Sequence, residues 1–245
     1  MLFRSARKHD SKDNLAAVLT SLPLSRIETF NPDTPVMLLG KMPTSDYLSG
    51  VGADSLGSAI AVMKKFKDWA AVRATTTLLK KVEAVCPDIL FDLEQKLSFT
   101  AKIVSYSASF VDWADKAIQG VRDAQATGDD ERIKDALINL FSGFAVYIGE
   151  IGRRYHDHQS YFGRATYDRF RENLNTLAND DRRAIHAFYA HYDVAISTMD
   201  RVFNREIPSV TREGDIPLVH VQGWVGTLIG AVDELFTSAI DLLKR

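Results

Sequence analysis

The densest cluster of side chains able to do chemistry is His156-Asp157-His158, in the run RRYHDHQ. Imidazoles titrate near neutral pH and ligate metals, so paired histidines are the first place to look for a site. On a helix, residues two apart diverge by about 200°, so His156 and His158 cannot hold one metal from the same helix. His186 and His191 diverge by about 140° for the same reason. A metal or pH-sensitive contact therefore requires His156 or His158 to meet His186 or His191 across two packed helices. The polar pocket expected on this basis is Tyr155, His158, His186 and Tyr189, and it would serve a helical ligand carrier or enzyme.

Other catalytic constellations fail on residue identity. Gly40-Lys41 is followed by Met42, where a P-loop needs Ser or Thr, and Pro35 stands where its first glycine belongs. No G-x-G-x-x-G and no H-E-x-x-H occurs. No Glu is followed three residues later by His, which removes the di-iron bundle pattern. Cys86 stands alone between Val85 and Pro87 and reads as a small buried hydrophobe. No cofactor and no resident metal is expected, and the chain reads as a non-enzyme.

Charge offers two surfaces. Arg153, Arg154, Arg164, Arg169, Arg171, Arg182 and Arg183 are mixed with aromatics, as in a base-stacking, phosphate-binding face. Glu150, Asp157, Asp168, Glu172, Asp180 and Asp181 are interleaved with them, which is the pattern of a solvated helix face. Nucleic acid is not the expected partner. The segment 54–86 is more lopsided: Lys64, Lys65, Lys67, Arg73, Lys80 and Lys81 outnumber Asp54, Asp68 and Glu83. These six basic residues form the candidate patch for an anionic lipid surface. An acidic turn at Asp123, Asp129, Asp130, Glu131 and Asp135 lies far from them in sequence.

The elements that must position these residues are helical throughout. Apolar residues recur at helical spacing from Leu56 to Val82, from Leu93 to Val121, from Ile133 to Tyr155 and from Ile185 to Phe203. Pro87 suits the first turn of a helix running to about residue 127. Gly128 reads as a C′ residue and Asp129 or Asp130 as an N-cap, giving a helix–turn–helix. A helix over 130–178 would follow, with Gly143, Gly149, Gly152 and Gly163 marking close packing or a break. Asn179-Asp180-Asp181 reads as a break and N-cap before a helix over 180–207, and 207–217 reads as a loop.

In the last helix, about 218–244, Val221, Val225, Leu228, Val232, Leu235, Ala239 and Leu242 step by four and three. Trp224, Leu228, Val232 and Leu235, with the small-residue pair Gly226 and Gly230, form the candidate face for self-association. The fold class is all-α, a multi-helix bundle with long antiparallel helices. It is elongated if the helices over 88–127 and 130–178 are continuous, since these would span about 60 and 70 Å.

Two regions follow. Residues 1–53 hold a basic tail, a short helix and a Pro/Gly-rich ordered loop; residues 54–245 form a single helical bundle domain. The 245 residues include 46% apolar residues and a formal charge of −2, which excludes a disordered chain. One cysteine excludes an intrachain disulfide, and a cytosolic setting is the default. The nearest candidate for a membrane span, Ala136–Gly149, is closed by Asp135 and Glu150 and is too short to cross a bilayer. The functional expectation is a helical interaction or scaffold protein that self-associates through a helix face. Peripheral membrane-surface binding through the basic patch is the alternative, and the His/Tyr pocket supplies a third reading.

Overall fold

Pro87 occupies the first turn of the longest helix, where its missing N–H leaves no hydrogen bond unmade. The computed structural model describes residues 77–211 and 218–243, together with Pro32 and Arg245. Its helices are α1 (Thr77–Val85), α2 (Pro87–Thr127), α3 (Asp130–His158), α4 (Ala165–Phe170), α5 (Asn179–Arg201), α6 (Ile207–Thr211) and α7 (Leu218–Leu243). Short 3-10 turns cover Gln159–Tyr161 and Arg171–Thr176, and a π-helical turn covers Val202–Glu206. The fold is all-α, with no strand among the described residues.

The hairpin between α2 and α3 follows from three residues. Gly128 takes a left-handed conformation, φ 68°, which an L side chain strains to reach. Asp129 then caps α3, its Oδ1 accepting from the backbone N–H of Glu131 at 3.0 Å and Arg132 at 3.3 Å. Asp130 and Glu131 place negative charge in the first turn, where the helix dipole favours it. The turn expected at 127–129 is therefore present residue for residue.

Helix α2 is continuous over 41 residues, about 60 Å. It packs along α3, and α7 lies against α2, α3 and α5. Its core register is a heptad seam: Ile89, Leu93, Lys96, Thr100, Ile103, Ser107 and Phe110 step by four and three and are each at most 1% exposed. Three of these seven are polar, and each has a partner. Ser107 Oγ meets Tyr147 Oη at 2.9 Å, and Thr100 Oγ1 donates to the Lys96 carbonyl at 2.8 Å.

Close approach on the α3 side rests on glycine. The Trp113 indole lies over Gly143, so a Cβ there would sit 1.8 Å from the ring. A Cβ at Gly152 would meet the Phe203 ring at 3.0 Å. Both glycines are sites of close packing inside an unbroken helix.

Three expectations need correction. The segment 130–178 is not one helix: α3 ends at His158, and two short turns and α4 complete the span. The run His158–Arg164 has no apolar stripe to hold a helix in register, and its freed carbonyls are taken by another element. The residues Asn179 and Asp180 do not cap α5; the N-cap is Ala178, with no side-chain cap. Asp181 instead turns to Lys81. Residues 207–211 are helical rather than loop: α6 continues α5 through the π-helical turn over 202–206, where Ile207 N–H bonds to the Val202 carbonyl just before Pro208.

Candidate functional site

A buried polar network ties the break after α3 to α2 and α5. Lys96, fully buried, places its ammonium 3.0 Å from Asp92 Oδ1, one helical turn away. It also donates to the carbonyls of Tyr161 at 2.8 Å and Gly163 at 3.1 Å. An ammonium has three N–H donors, and these three acceptors use them all. Lys96 is thus a positioning residue for the 159–164 turn and has no free electron pair for nucleophilic work.

The second Asp92 oxygen, Oδ2, accepts from Tyr189 Oη at 2.6 Å. Burial, with the Asp92 charge beside it, holds the Tyr189 hydroxyl far above the usual phenol range. The Lys96 ammonium also lies over the rings of Tyr189 and Tyr192, at 5.7 and 5.2 Å from their centroids. That is cation–π geometry in a water-free setting, where such contacts are strongest.

The four residues of the expected His/Tyr pocket occupy separate surroundings. Tyr155 Oη donates to Asp200 at 2.9 Å, and its ring packs on Phe162 and Phe203. His158 stacks on Phe99 at 5.0 Å. His186 Nδ1 is hydrogen-bonded to Tyr167 Oη, and Tyr167 stacks on Tyr189 at 4.0 Å. His186 and Tyr189 are thus brought together through Tyr167, while Tyr155 and His158 are joined only through Phe162 and Phe99. The rings form a packed aromatic chain and line neither of the two described cavities.

The histidines do not assemble into a metal site. His156 Nδ1 meets Gln159, His191 Nδ1 meets Glu234 Oε2 at 2.8 Å, and His158 is held by aromatic stacking. No group of three or more metal-ligating side chains occurs among the described residues. Burial, then the charge of Lys102, lowers the His158 pKa. Burial, then Arg182, lowers that of His186.

Of the basic patch, Lys64, Lys65, Lys67 and Arg73 lie outside the described residues. Lys80 is exposed, and Lys81 Nζ is engaged by Asp181 at 2.6 Å. The C-terminal face divides in two. Trp224, Leu228, Val232 and Leu235 are at most 4% exposed and belong to the bundle's own core. Gly226 and Gly230 stand on the opposite, exposed side of α7 with open space around them. They are not a close-packing seam with these four residues, because a heptad stripe this apolar is used first inside its own chain.

The surface that remains between α5 and α7 is a groove of about 540 Å³. Ala184, Ala187 and Phe188 line it, and Thr237 and Ser238 face them from α7. Arg183, Arg245 and Asp241 stand at one end, and the His191–Glu234 pair at the other.

Lys96, Asp92 and Glu94 belong to none of the motifs that the sequence offers. The signal for Lys96 was its register, since the seam continues through it at heptad spacing. Glu94, 1% exposed, has both carboxyl oxygens without a hydrogen-bond partner. Burial, with the Glu83 charge adding to it, pushes its pKa up to about 7. No helix among the described residues is long and apolar enough to cross a membrane. Compared with protein-family models, curated proteins and solved structures, the chain matches none.

Proposed function

We propose that this chain is a non-enzymatic helical interaction module that pairs with a second copy of itself through the α5–α7 groove. The observation that carries the reading is the composition of the groove's rim. It sets Arg183 and Arg245 against Asp241 and Glu234, around the small apolar surface of Ala184 and Ala187. A two-fold interface brings one patch against itself, so it must be self-complementary. A rim of balanced sign meets that condition, with Arg183 of each copy opposite Asp241 of the other. The small side chains let a partner helix approach closely.

The reading keeps the expected self-association and moves it from the buried Trp224 stripe to the adjoining surface of the same helix. The test is light scattering of the purified protein at two concentrations about a hundredfold apart, around the micromolar range. A dimer is expected at the higher concentration. Arg183→Asp should dissociate it, and Arg183→Asp combined with Asp241→Arg should restore it. A monomer at both concentrations overturns the proposal, as does a dimer indifferent to the charge reversal.

A further inference from the structure

We propose that the turn after α3, residues 159–163, is an acid-operated latch whose trigger is the His158 ring. The ring lies between two aromatics, stacked on Phe99 of α2 at 5.0 Å and 5.3 Å from the Tyr161 ring. Its Nε2 is buried and has no hydrogen-bond partner. Tyr161 forms the outer layer, 41% exposed, and Phe162 packs on the same Phe99 ring at 5.1 Å. His158 is also the residue at which α3 gives way to the 3-10 turn. A movement of its ring is therefore a movement of the start of the turn.

A neutral imidazole suits this place, because Nε2 can remain a lone pair with no proton to satisfy. Protonation makes Nε2 an N–H donor with no acceptor and puts a positive charge where water is excluded. The aromatic faces on either side return only part of the hydration that the cation loses. The charges that face the ring are mostly of the wrong sign: Lys102 and Lys96 from α2, against Asp157 from α3. The Gln95 carbonyl of α2 favours the proton, and the turn itself contributes the Tyr161 ring. Burial and then Lys102 prevail, and the ring takes up a proton less readily here than in water.

The hold of His158 on the turn is accordingly full above the ordinary histidine value of 6.5. It is lost as pH falls through the lowered value of the closed turn. Opening frees His158 and Tyr161 from Phe99. The turn then rests on its other anchor, the Lys96 bonds to the carbonyls of Tyr161 and Gly163. Glu94, whose carboxyl is raised to about 7, stabilises the fold as pH falls over the same range, so its effect does not imitate the latch. None of the latch residues lines the α5–α7 groove.

The test is amide exchange in the full chain, read at Phe162, whose N–H bonds to the Gln159 carbonyl at 3.2 Å. Its protection factor, corrected for the intrinsic rate, is expected to fall about threefold or more from about pH 8 to about pH 5. Amides at the centre of α2 should not fall with it. His158→Phe keeps an aromatic ring in the stack and cannot titrate, so its Phe162 protection should stay level. In the unaltered protein the His158 ring, followed by NMR, should titrate below 6.5. Phe162 protection that holds at acid pH overturns the proposal, as does an equal fall in His158→Phe. A ring that titrates at the ordinary value overturns it without any variant.

Discussion

Lys81 and Asp181 are separated by 100 residues and meet at 2.6 Å, joining α1 to the first turn of α5. The pair reassigns both members. Lys81 reads in the sequence as part of a lipid-facing patch, and Asp181 as a helix cap. In the fold Asp181 is buried at the junction and Lys81 remains half-exposed, so each is used to fasten two elements. Lys81→Ala should cost up to about 1 kcal/mol, the range of a partly solvated pair. Its cost should shrink at high salt, read from urea midpoints at two ionic strengths.

Removal of Lys96 should be far more damaging. Lys96→Met keeps the length of the side chain but strands the Asp92 carboxylate and two carbonyls. Breaking a buried pair from one side costs about 3–5 kcal/mol. The denaturation midpoint should fall accordingly, and hydrogen exchange at 159–164 should accelerate because the turn loses its anchor. Lys96→Met with Asp92→Asn should recover part of the loss, since no charge is then left unpaired.

The α2–α3 hairpin gives two separable outcomes. Gly128→Ala should cost about 1–2 kcal/mol, because the left-handed backbone there disfavours a Cβ. Asp129→Ala removes the cap of α3 and should cost about 1 kcal/mol. Thermal unfolding of the single and double variants checks both.

Two glycines predict opposite signs. Gly143→Ala drives a methyl into the Trp113 indole, so the ring must be displaced, at a cost of about 1–3 kcal/mol. A change in tryptophan emission should accompany the loss. Gly226→Ala meets nothing within 4 Å and should stabilise α7 by about 0.5–1 kcal/mol.

Glu94 predicts a pH dependence. Its carboxyl is raised from the ordinary 4.5 to about 7 in the fold. Between those values the folded chain holds a proton that the unfolded chain has released. The stability tied to this group is therefore full below about pH 4.5 and is lost as pH rises toward 7. Glu94→Gln should flatten that slope and raise stability at pH 8 by roughly 2 kcal/mol. Urea titrations of both proteins at pH 5 and pH 8 check it; parallel slopes would refute the assignment.

The sequence by itself determined the helices and their best-marked ends. Pro87, Gly128 and Asp129 act through their own backbone geometry and through neighbours one to three residues away, so they are legible without a fold. The heptad spacing of Val221 to Leu242 likewise dictates a buried stripe, whatever it packs against. Which residues meet was decided only by tertiary structure. Lys96 reads as an ordinary charge until the turn after α3 delivers the carbonyls of Tyr161 and Gly163 to it. Tyr155, His158, His186 and Tyr189 read as one pocket because they are alike in type. The packing of α3, α4 and α5 instead joins His186 and Tyr189 through Tyr167 and sets Tyr155 against Phe162 and His158 against Phe99. The arginines tell the same story: in sequence they are evenly offset by acids. In three dimensions Arg164 pairs with Asp193 and approaches Asp168, while Arg182 is held by the neutral side chains of Asn175 and Asn179. Local geometry acts over a few bonds and can be read along the chain. Charge pairing and burial depend on distances that only the assembled helices set.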